Sequence, residues 1–407
     1  MSIIYEKNNK HIINMLFIIY IFTINVFAST NTHILKTMYV IVFAFIVLNM
    51  ILTKIPIHLG VFIFILLAFV LINFLSTYWS LEPNYAFIRS ITLMQMLIML
   101  TIFYSYFHYT KDEEVFINAF ILSGFATYGY LVYYYGIDEM FNFSKRLPSD
   151  LMNSNLIGMN AAFSALSCIY AVLKSKKIIK YLILLIPMLA VIFKSASRKA
   201  LICLVLGAIF YILFYIWDTK KLMSTIIKIF VFIIILVVAI NIANIILPNN
   251  IAYTRFNSMI SYIDDGTDID TSTYIRMRMI EAGLDMFINS PIVGIGADNP
   301  KIYVTNYGIR STYLHNNYVE LLAGLGIIGF TLYYSLYIYL IVKVWPMVKK
   351  KDALAGFAFI IMILNLILDY GAVSYFSYMT YIYFIFALCV VTKDNANQYN
   401  ISYDIIE

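Results

Sequence analysis

The sequence predicts an all-α protein that crosses a membrane many times. Of its 407 residues, 62% are hydrophobic and only 12% are charged, whereas an ordinary soluble domain is about 25% charged. The mean hydropathy of +0.84 and the long, continuous apolar runs favour transmembrane helices over a β-barrel, in which apolar and polar residues alternate. These features exclude a soluble globular enzyme, a disordered chain and a fibrous repeat.

About twelve apolar runs have the length of a transmembrane helix, which needs about 20 residues. The runs cover residues 11–28, 37–53, 58–76, 87–107, 115–135, 155–173, 178–194, 199–217, 226–247, 316–343, 353–370 and 374–392. The first run resembles a signal peptide that ends at Ala28, but an uncleaved helix is favoured because an even number of spans balances the charges. We therefore expect transmembrane helices 1–9 in residues 1–247, one long extracytoplasmic loop in 248–315, and helices 10–12 with a cytoplasmic tail in 316–407.

The basic residues predict the orientation. With both termini in the cytoplasm, the short cytoplasmic connections carry more Lys and Arg than the short outer connections, as the positive-inside rule requires. Every basic residue on the cytoplasmic side is then Lys, and all seven Arg lie on the outer side. Arg binds phosphate with a planar, bidentate fork that Lys lacks. The segregation indicates that the outer face binds a phosphorylated anion; a general bias of the composition toward Lys is the alternative.

The net charge, the cysteines and the metal-binding motifs indicate neither a nucleic-acid partner nor a bound metal or cofactor. The net charge of +6 does not indicate nucleic acid, because no basic run lies in a solvated domain. The three Cys lie in apolar runs without pairing or metal-ligand spacing, so we expect buried free thiols. No haem, zinc or iron–sulfur signature is present, and no cluster of His and carboxylates has ligand spacing on the outer face. We therefore expect no cofactor and a metal-independent activity.

Three motifs stand around the long loop. The first is Ser-Ala-Ser-Arg-Lys-Ala-Leu at 195–201, where the eighth span begins. The second is Arg276, in a predicted helix over 272–290, followed fifteen residues later by the turn Pro-Ile-Val-Gly-Ile-Gly at 291–296. The third is Leu-His-Asn-Asn-Tyr at 314–318, which leads into Gly-Leu-Gly-Ile-Ile-Gly at 324–329.

In their order around one long outer loop, these motifs resemble the O-antigen ligase/polymerase superfamily of bacterial envelope proteins. The resemblance covers roughly residues 195–330, and the N-terminal half resembles the family only in topology. The family often has Trp four residues after the Arg of the second motif, where this chain has Ile280. The resemblance implies a fold related to membrane glycosyltransferases that use lipid-linked donors.

The resemblance also implies an enzyme of the bacterial inner membrane with its active site on the periplasmic, outer face. Family members transfer a glycan from undecaprenyl pyrophosphate to a sugar hydroxyl. Polymerases transfer it to another repeat unit of an O-antigen, capsule or exopolysaccharide, and ligases transfer it to the lipid A–core of lipopolysaccharide. A polymerase is favoured because polymerases are the more numerous class. The expected partners are the lipid-linked oligosaccharide, an acceptor glycan, membrane lipids, a chain-length regulator and a flippase.

Two other functions remain open from the sequence. One is the O-antigen ligase, which uses the same donor. The other is a flippase or transporter for the same lipid-linked sugars, since twelve spans suit a transporter. Transporters often contain an internal repeat; we find none, and one long outer loop on one side argues against this class.

The chemistry of the transfer predicts the site residues. Negative charge builds on the leaving pyrophosphate, and fixed Arg groups stabilise that charge; the resemblance assigns this role to Arg198 and Arg276. His315 is the expected base, because imidazole titrates near neutral pH. The expected substrate-binding residues are Arg278, Arg255, Lys199, Arg310, Asn316 and Glu320, and Lys194 is a further phosphate or sugar contact.

A purely structural role is the alternative to a role in catalysis or binding for these residues. Arg198 would anchor a helix end to lipid headgroups, Arg276 would pair with Glu281 or Asp285, and His315 would cap the tenth span. Glu320 lies one turn beyond His315 in an apolar run, where an ionisable side chain usually faces a cavity. It would orient His315, bind acceptor hydroxyls or pair with a basic residue of another span.

Overall fold

The computed structural model describes residues 2–28, 31–148, 153–216, 251, 253–254 and 271–403, which form helices and connecting turns without a strand. The helices are α1 (Ser2–Phe27), α2 (Thr32–Thr53), α3 (Val61–Leu75), α4 (Pro83–Thr110), α5 (Glu114–Tyr135), α6 (Ile137–Phe141), α7 (Ser154–Lys174), α8 (Ile178–Ser195), α9 (Arg198–Tyr211), α10 (Thr271–Asn289), α11 (Pro300–Tyr303), α12 (Asn317–Lys349), α13 (Ala353–Asp369) and α14 (Tyr378–Tyr403). A 3₁₀ turn at Ser76–Tyr78 extends α3, another at Val304–Tyr307 extends α11, and a π turn at Ile212–Ile216 follows α9.

The described part of the chain has eight helices that are long and apolar enough to cross a membrane. They are α1 to α5, α7, α8 and α12, and each coincides with a predicted span. The last two predicted spans correspond to the shorter apolar helices Ala353–Asp369 and Tyr378–Thr392. The eighth predicted span corresponds to α9 with its π turn, and the ninth, at 226–247, lies outside the described residues. The chain is therefore a multi-pass membrane protein, and the total of twelve spans stays a prediction.

Local signals in the sequence set several helix ends. Pro83 begins α4, where a missing backbone N–H costs nothing. The Asn153 side chain caps α7 by accepting hydrogen bonds from the amides of Asn155 and Leu156. Large apolar side chains such as Ile51 and Ile179 are 68% and 75% exposed on these helices, and such surfaces fit contact with lipid.

The chain divides into two compact units. The first consists of Met1–Thr53, Asp112–Asp268 and Met347–Leu364, and the second of Lys54–Lys111, Ile269–Pro346 and Asn365–Glu407. In the first unit α7 packs against α5, α8 and α9, and α1 packs against α2 and α5. In the second unit α4 packs against α3 and α14.

The helix predicted over 272–290 is confirmed as α10. It ends where predicted, because Gly294 and Gly296 of the following turn have φ values of +69° and +106°, which favour glycine. The segment 291–296 then runs beside the first part of α12. The Ile295 amide donates to the carbonyl of Ala323 at 2.9 Å, and the Gly296 amide donates to that of Gly324 at 2.8 Å.

The helical conformation of α12 is interrupted at Gly326, which has φ +62° and ψ −165°. On the far side of this break, the Ile327 amide donates to the carbonyl of Pro291 at 2.9 Å. A Cβ atom at Gly326 would lie 2.3 Å from the backbone carbon of Ile292. The glycines of the second and third motifs therefore serve one purpose, which is to let two backbone segments of the second unit approach and hydrogen-bond.

Candidate active site

His315 lies in a tight turn that leads into α12 in the second unit. Its motif neighbours Leu314, Asn316 and Asn317 are buried, whereas His315 is half-exposed. The backbone of His315 has φ +57°, in the left-handed region that is uncommon for residues other than glycine. Such strained positions cluster at functional sites because the surroundings must hold them in place. The turn thus presents the imidazole while it buries the residues on either side.

Two polar side chains hold this turn. The Asn316 Oδ1 atom accepts a hydrogen bond from the Val319 amide at 3.1 Å, which makes Asn316 the N-cap of α12. The Glu320 Oε2 atom accepts one from the Leu314 amide at 2.8 Å and so reaches back across the turn. These contacts give Asn316 and Glu320 structural roles beside His315. Their roles in binding substrate stay predictions.

Asn317 connects the turn to the C-terminal end of α13, and sequence reasoning missed this role. Its Oδ1 atom accepts hydrogen bonds from the amides of Ser374 and Tyr375 at 2.9 and 3.1 Å. Its Nδ2 atom donates to Asp369 at 3.1 Å and to the Tyr334 hydroxyl at 2.9 Å. Every hydrogen-bonding atom of the Asn317 amide is thereby engaged within the protein, so Asn317 supports the site without being available to a ligand.

The helix α10 lies directly against the His315 turn. Its buried face joins a hydrophobic cluster whose members come from α10, α12 and the loop between them: Met279, Ala282, Met286, Val304, Leu314, Val319 and Ala323. A Cβ atom at Gly283 would lie 2.4 Å from Val319 Cγ1 and 2.6 Å from Leu314 Cδ1. Because Gly283 has no side chain, α10 can pack closely against Leu314, the residue that precedes His315.

The two Arg of α10 have different environments. Arg276 is half-buried, and its charge acts on the phenol of Tyr313, whose ring centroid lies 4.3 Å from that of His315. Burial raises the pKa of Tyr313 above its usual value, and the nearby Arg276 opposes this shift. The Arg278 side chain is 45% exposed, and its Nε atom lies 4.0 Å from Glu281. Tyr313 therefore links Arg276, rather than Arg278, to His315.

Of the other two Arg predicted to bind substrate in the long loop, the structure describes Arg310 but not Arg255. Arg310 is exposed in the loop that precedes the His315 turn. Asp285, one of the alternative partners of Arg276, accepts a hydrogen bond from the Tyr307 hydroxyl. Arg255 lies outside the described residues.

In the first unit, a tight turn between α8 and α9 places Arg198. Ala196 ends α8 with φ +47°, and the Ser197 Oγ atom accepts a hydrogen bond from the Ala200 amide at 3.4 Å, which caps α9. Arg198 and Lys199 are the first two residues of α9, and both are half-buried. The helix α7 passes close behind the turn, since a Cβ atom at Gly158 would lie 2.3 Å from Ser195 Oγ.

Two contacts join this turn to the connection between α5 and α7, one made by Arg146 of the connection and one by Lys194 of α8. The Arg146 Nε atom donates to the Ser195 carbonyl at 2.8 Å. Lys194 is fully buried, and its Nζ atom donates to Glu139 and to the Asn142 carbonyl, both at 2.7 Å. The expectation that Lys194 contacts phosphate or sugar is therefore wrong: its charge is engaged by a carboxylate far away in the sequence, which no local pattern reveals.

The buried position of Lys194 leads to a stability prediction. Lys194→Met keeps a long, unbranched side chain but leaves Glu139 and the Asn142 carbonyl without their hydrogen-bond donor. We therefore expect a loss of about 1–3 kcal/mol in the free energy of unfolding. The matched control is Lys174→Met, which removes a Lys from an exposed pair with Glu114 and should cost less than about 1 kcal/mol. Thermal unfolding in detergent compares the stability of the two variants. Equal losses of stability would contradict the expectation that the buried Lys194 contributes more than the exposed Lys174.

The fold and this arrangement define a class of protein: a multi-pass membrane protein with two Arg-bearing motifs and a strained His turn that leads into a membrane helix. Residues 182–334, which contain all three motifs, match the family model described as O-antigen ligase. The match confirms the resemblance of this part of the chain to the O-antigen ligase/polymerase superfamily, whose members transfer glycans. A search of curated proteins found no match.

Proposed function

We propose that the protein polymerises oligosaccharide repeat units that are linked to undecaprenyl pyrophosphate, at the outer face of the bacterial inner membrane. The observation that carries the proposal is the His315 turn packed against the Arg276-bearing helix, within the segment that matches the O-antigen ligase family. A base next to a cation that binds an anionic leaving group is what glycosyl transfer from a pyrophosphate requires.

In the proposed reaction, the hydroxyl of the acceptor sugar attacks the anomeric carbon of the donor glycan. His315 takes the hydroxyl proton as the new glycosidic bond forms. The anomeric C–O bond to the pyrophosphate breaks, and its electron pair leaves with the lipid pyrophosphate. Arg276, with Arg198 as the resemblance implies, stabilises the charge on that leaving group. Arg278, Arg255, Lys199, Arg310, Asn316 and Glu320 are proposed to bind the remaining phosphate oxygens and sugar hydroxyls.

The ligase is the second candidate, because the matched family model is described as O-antigen ligase. A glycan gel from cells that lack the gene, run beside the lipid-linked pool, distinguishes the candidates. If long chains vanish while single repeat units reach the surface or the carrier, the protein is the polymerase. If long chains accumulate on the carrier and none reach lipid A–core, it is the ligase. If repeat units stay on the cytoplasmic side, the protein is a flippase and the proposal fails.

The unequal environments of the two Arg of α10 predict unequal losses of activity. We expect Arg276→Gln to lower transfer by about 10²- to 10³-fold, the usual cost of a missing donor to a developing negative charge. Arg278→Gln should cost less, because this side chain is more exposed and lies beside Glu281. Initial rates with a lipid-linked repeat unit measure the effect, with the exposed Lys145→Gln as the control for removal of an outer cation. A larger loss in Arg278→Gln would reverse the assignment.

The proposed reaction uses no metal ion. We expect the purified protein to retain its rate of transfer after exhaustive treatment with EDTA, because the fixed Arg groups supply the positive charge that a metal would otherwise provide. Restoration of a lost activity by a divalent cation would contradict this part of the proposal. The rate of transfer is measured on the EDTA-treated protein and on a parallel sample to which Mg²⁺ is added back.

A further inference from the structure

Arg146 lies in the connection between α5 and α7 and contacts two different helix ends of the first unit. Its Nε atom donates to the Ser195 carbonyl at 2.8 Å, and its Nη2 atom donates to the Asn155 Oδ1 atom at 2.7 Å. Ser195 is the last residue of α8, and Asn155 lies in the first turn of α7. One half-buried guanidinium therefore joins the C-terminal end of α8 to the N-terminal end of α7.

The contact with Ser195 satisfies a group that a helix by itself leaves without a partner. The last four carbonyl groups of an α-helix accept no hydrogen bond within the helix, and a cation near them also interacts favourably with the helix dipole. Ser195 is fully buried, so its carbonyl has little access to water. Removal of the Arg146 side chain would take a hydrogen bond from this buried carbonyl, which is unfavourable.

Two further hydrogen bonds tie the same connection to the end of α8. The Leu147 amide donates to the Lys194 carbonyl at 2.9 Å, so that consecutive residues of the connection serve consecutive carbonyl groups of the helix. In the opposite direction, the Lys194 Nζ atom donates to the Asn142 carbonyl at 2.7 Å. The three bonds act together on the last two residues of α8.

The end of α8 determines where Arg198 lies, because only two residues separate Ser195 from Arg198. The first of them, Ala196, has φ +47°, and such left-handed positions persist only when their surroundings hold them. The second, Ser197, caps α9, and Arg198 is the first residue of that helix. A shift of the Ser195 carbonyl would therefore move the start of α9 and the Arg198 side chain with it.

We propose that Arg146 is a positioning residue for Arg198, which it holds through the Ser195 carbonyl and the strained turn. The inference rests on the proposed function, because it takes Arg198 as a cation that stabilises the leaving pyrophosphate. An Arg suits this purpose because its rigid fork donates in fixed directions, and here the two acceptors belong to two different helices. The inference assigns a role to an Arg outside the three motifs and outside the segment 182–334 that matches the family model.

Amide hydrogen exchange of the full-length protein in detergent tests the inference without an activity assay. We expect the peptide that covers residues 192–204 to exchange about tenfold faster in Arg146→Met, which keeps an unbranched side chain but removes both donors. The matched control is Lys145→Met, which removes the neighbouring exposed cation and should exchange like the wild type. Wild-type exchange in Arg146→Met, or an equal increase in Lys145→Met, would overturn the inference.

Two milder variants test the same contacts if Arg146→Met does not yield folded protein. Arg146→Lys replaces the fork by a single ammonium, and Asn155→Leu removes the acceptor of the Arg146 Nη2 atom. We expect each to increase the exchange of the same peptide by less than Arg146→Met would. Wild-type exchange in both variants would overturn the inference.

Steady-state kinetics on the folded variants separates positioning from binding of substrate. Loss of a residue that positions a contact of the transition state lowers kcat and leaves the KM for the lipid-linked donor unchanged. If Arg146 acts through Arg198, the double variant Arg146→Met/Arg198→Gln is no slower than Arg198→Gln alone. Multiplied losses, or a raised KM alone, would overturn the inference. If the wild-type protein transfers no glycan, the proposed function fails, and the exchange measurement still decides whether Arg146 holds the turn.

Discussion

Replacement of His315 by Asn is expected to lower glycan transfer by about 10²- to 10⁴-fold, the usual contribution of a general base. Asn is chosen because it tolerates the left-handed backbone conformation that His315 adopts, at φ +57°. It keeps the turn while it removes the imidazole that would accept the proton of the acceptor hydroxyl. Initial rates of chain extension, measured on protein that elutes as a single folded species, give the effect.

His33→Asn is the matched control. His33 is exposed on α2 and has no place in the proposed reaction, so this variant should retain the wild-type rate within about twofold. A folded His315→Asn variant that extends chains at the wild-type rate would show that this imidazole is not the base. The role of the turn would then be limited to the structure at the N-terminal end of α12.

Replacement of Gly326 by Ala is expected to destabilise the protein by about 3 kcal/mol or more. The residue has φ +62° and ψ −165°, a conformation that is essentially restricted to glycine. The added Cβ atom would also meet the backbone of Ile292 at 2.3 Å, and backbone cannot rotate out of the way as a flexible side chain can. We expect the variant to lose the contact between segment 291–296 and α12, and to unfold at a lower temperature in detergent.

Gly356→Ala provides the comparison for this effect. Gly356 lies within α13, and among the described residues a Cβ atom there would have no atom within 4 Å apart from the backbone of its own helix. Ala is the better helix former by up to about 1 kcal/mol, so this variant should be as stable as the wild type or more stable. If both Ala variants melt like the wild type, the interruption of α12 does not depend on glycine.

The sequence predicts the helices well because their signal is local. Continuous apolar runs define the spans, and the spacing of Ile275, Met279, Ala282 and Met286 predicts α10. Glycine in the turn after α10 marks its end for the same reason, since a single residue determines whether the backbone can adopt a positive φ. These elements need no knowledge of what lies next to them in space.

The supports of the site depend on contacts between distant parts of the chain, and the sequence does not reveal them. Asn317 and Ser374, whose amide donates to the Asn317 side chain, are 57 positions apart. The buried Lys194 and its partner Glu139 are separated by 55 positions, and in the sequence this Lys resembles any other outer cation. A charged residue shows its partner only when the fold is known, because the desolvation of a charge is a property of its surroundings.

The two candidates Arg276 and Arg278 show, within one helix, the same limit of prediction from sequence. Residues two positions apart point to different sides of a helix, so the sequence distinguishes two faces without showing which one is buried. The packing of Met279 and Gly283 against α12 and the His315 turn settles the buried face. Arg276 lies at its border, and the exposed Arg278 does not.

The most direct test of the proposed function is reconstitution of the purified protein in liposomes with an undecaprenyl-pyrophosphate-linked repeat unit as the only glycan. We expect longer lipid-linked glycans, with undecaprenyl pyrophosphate released in an amount equal to the glycosidic bonds formed, and no product with the His315→Asn variant. An unchanged donor in the presence of folded wild-type protein, or movement of the donor across the bilayer without a new glycosidic bond, would contradict it.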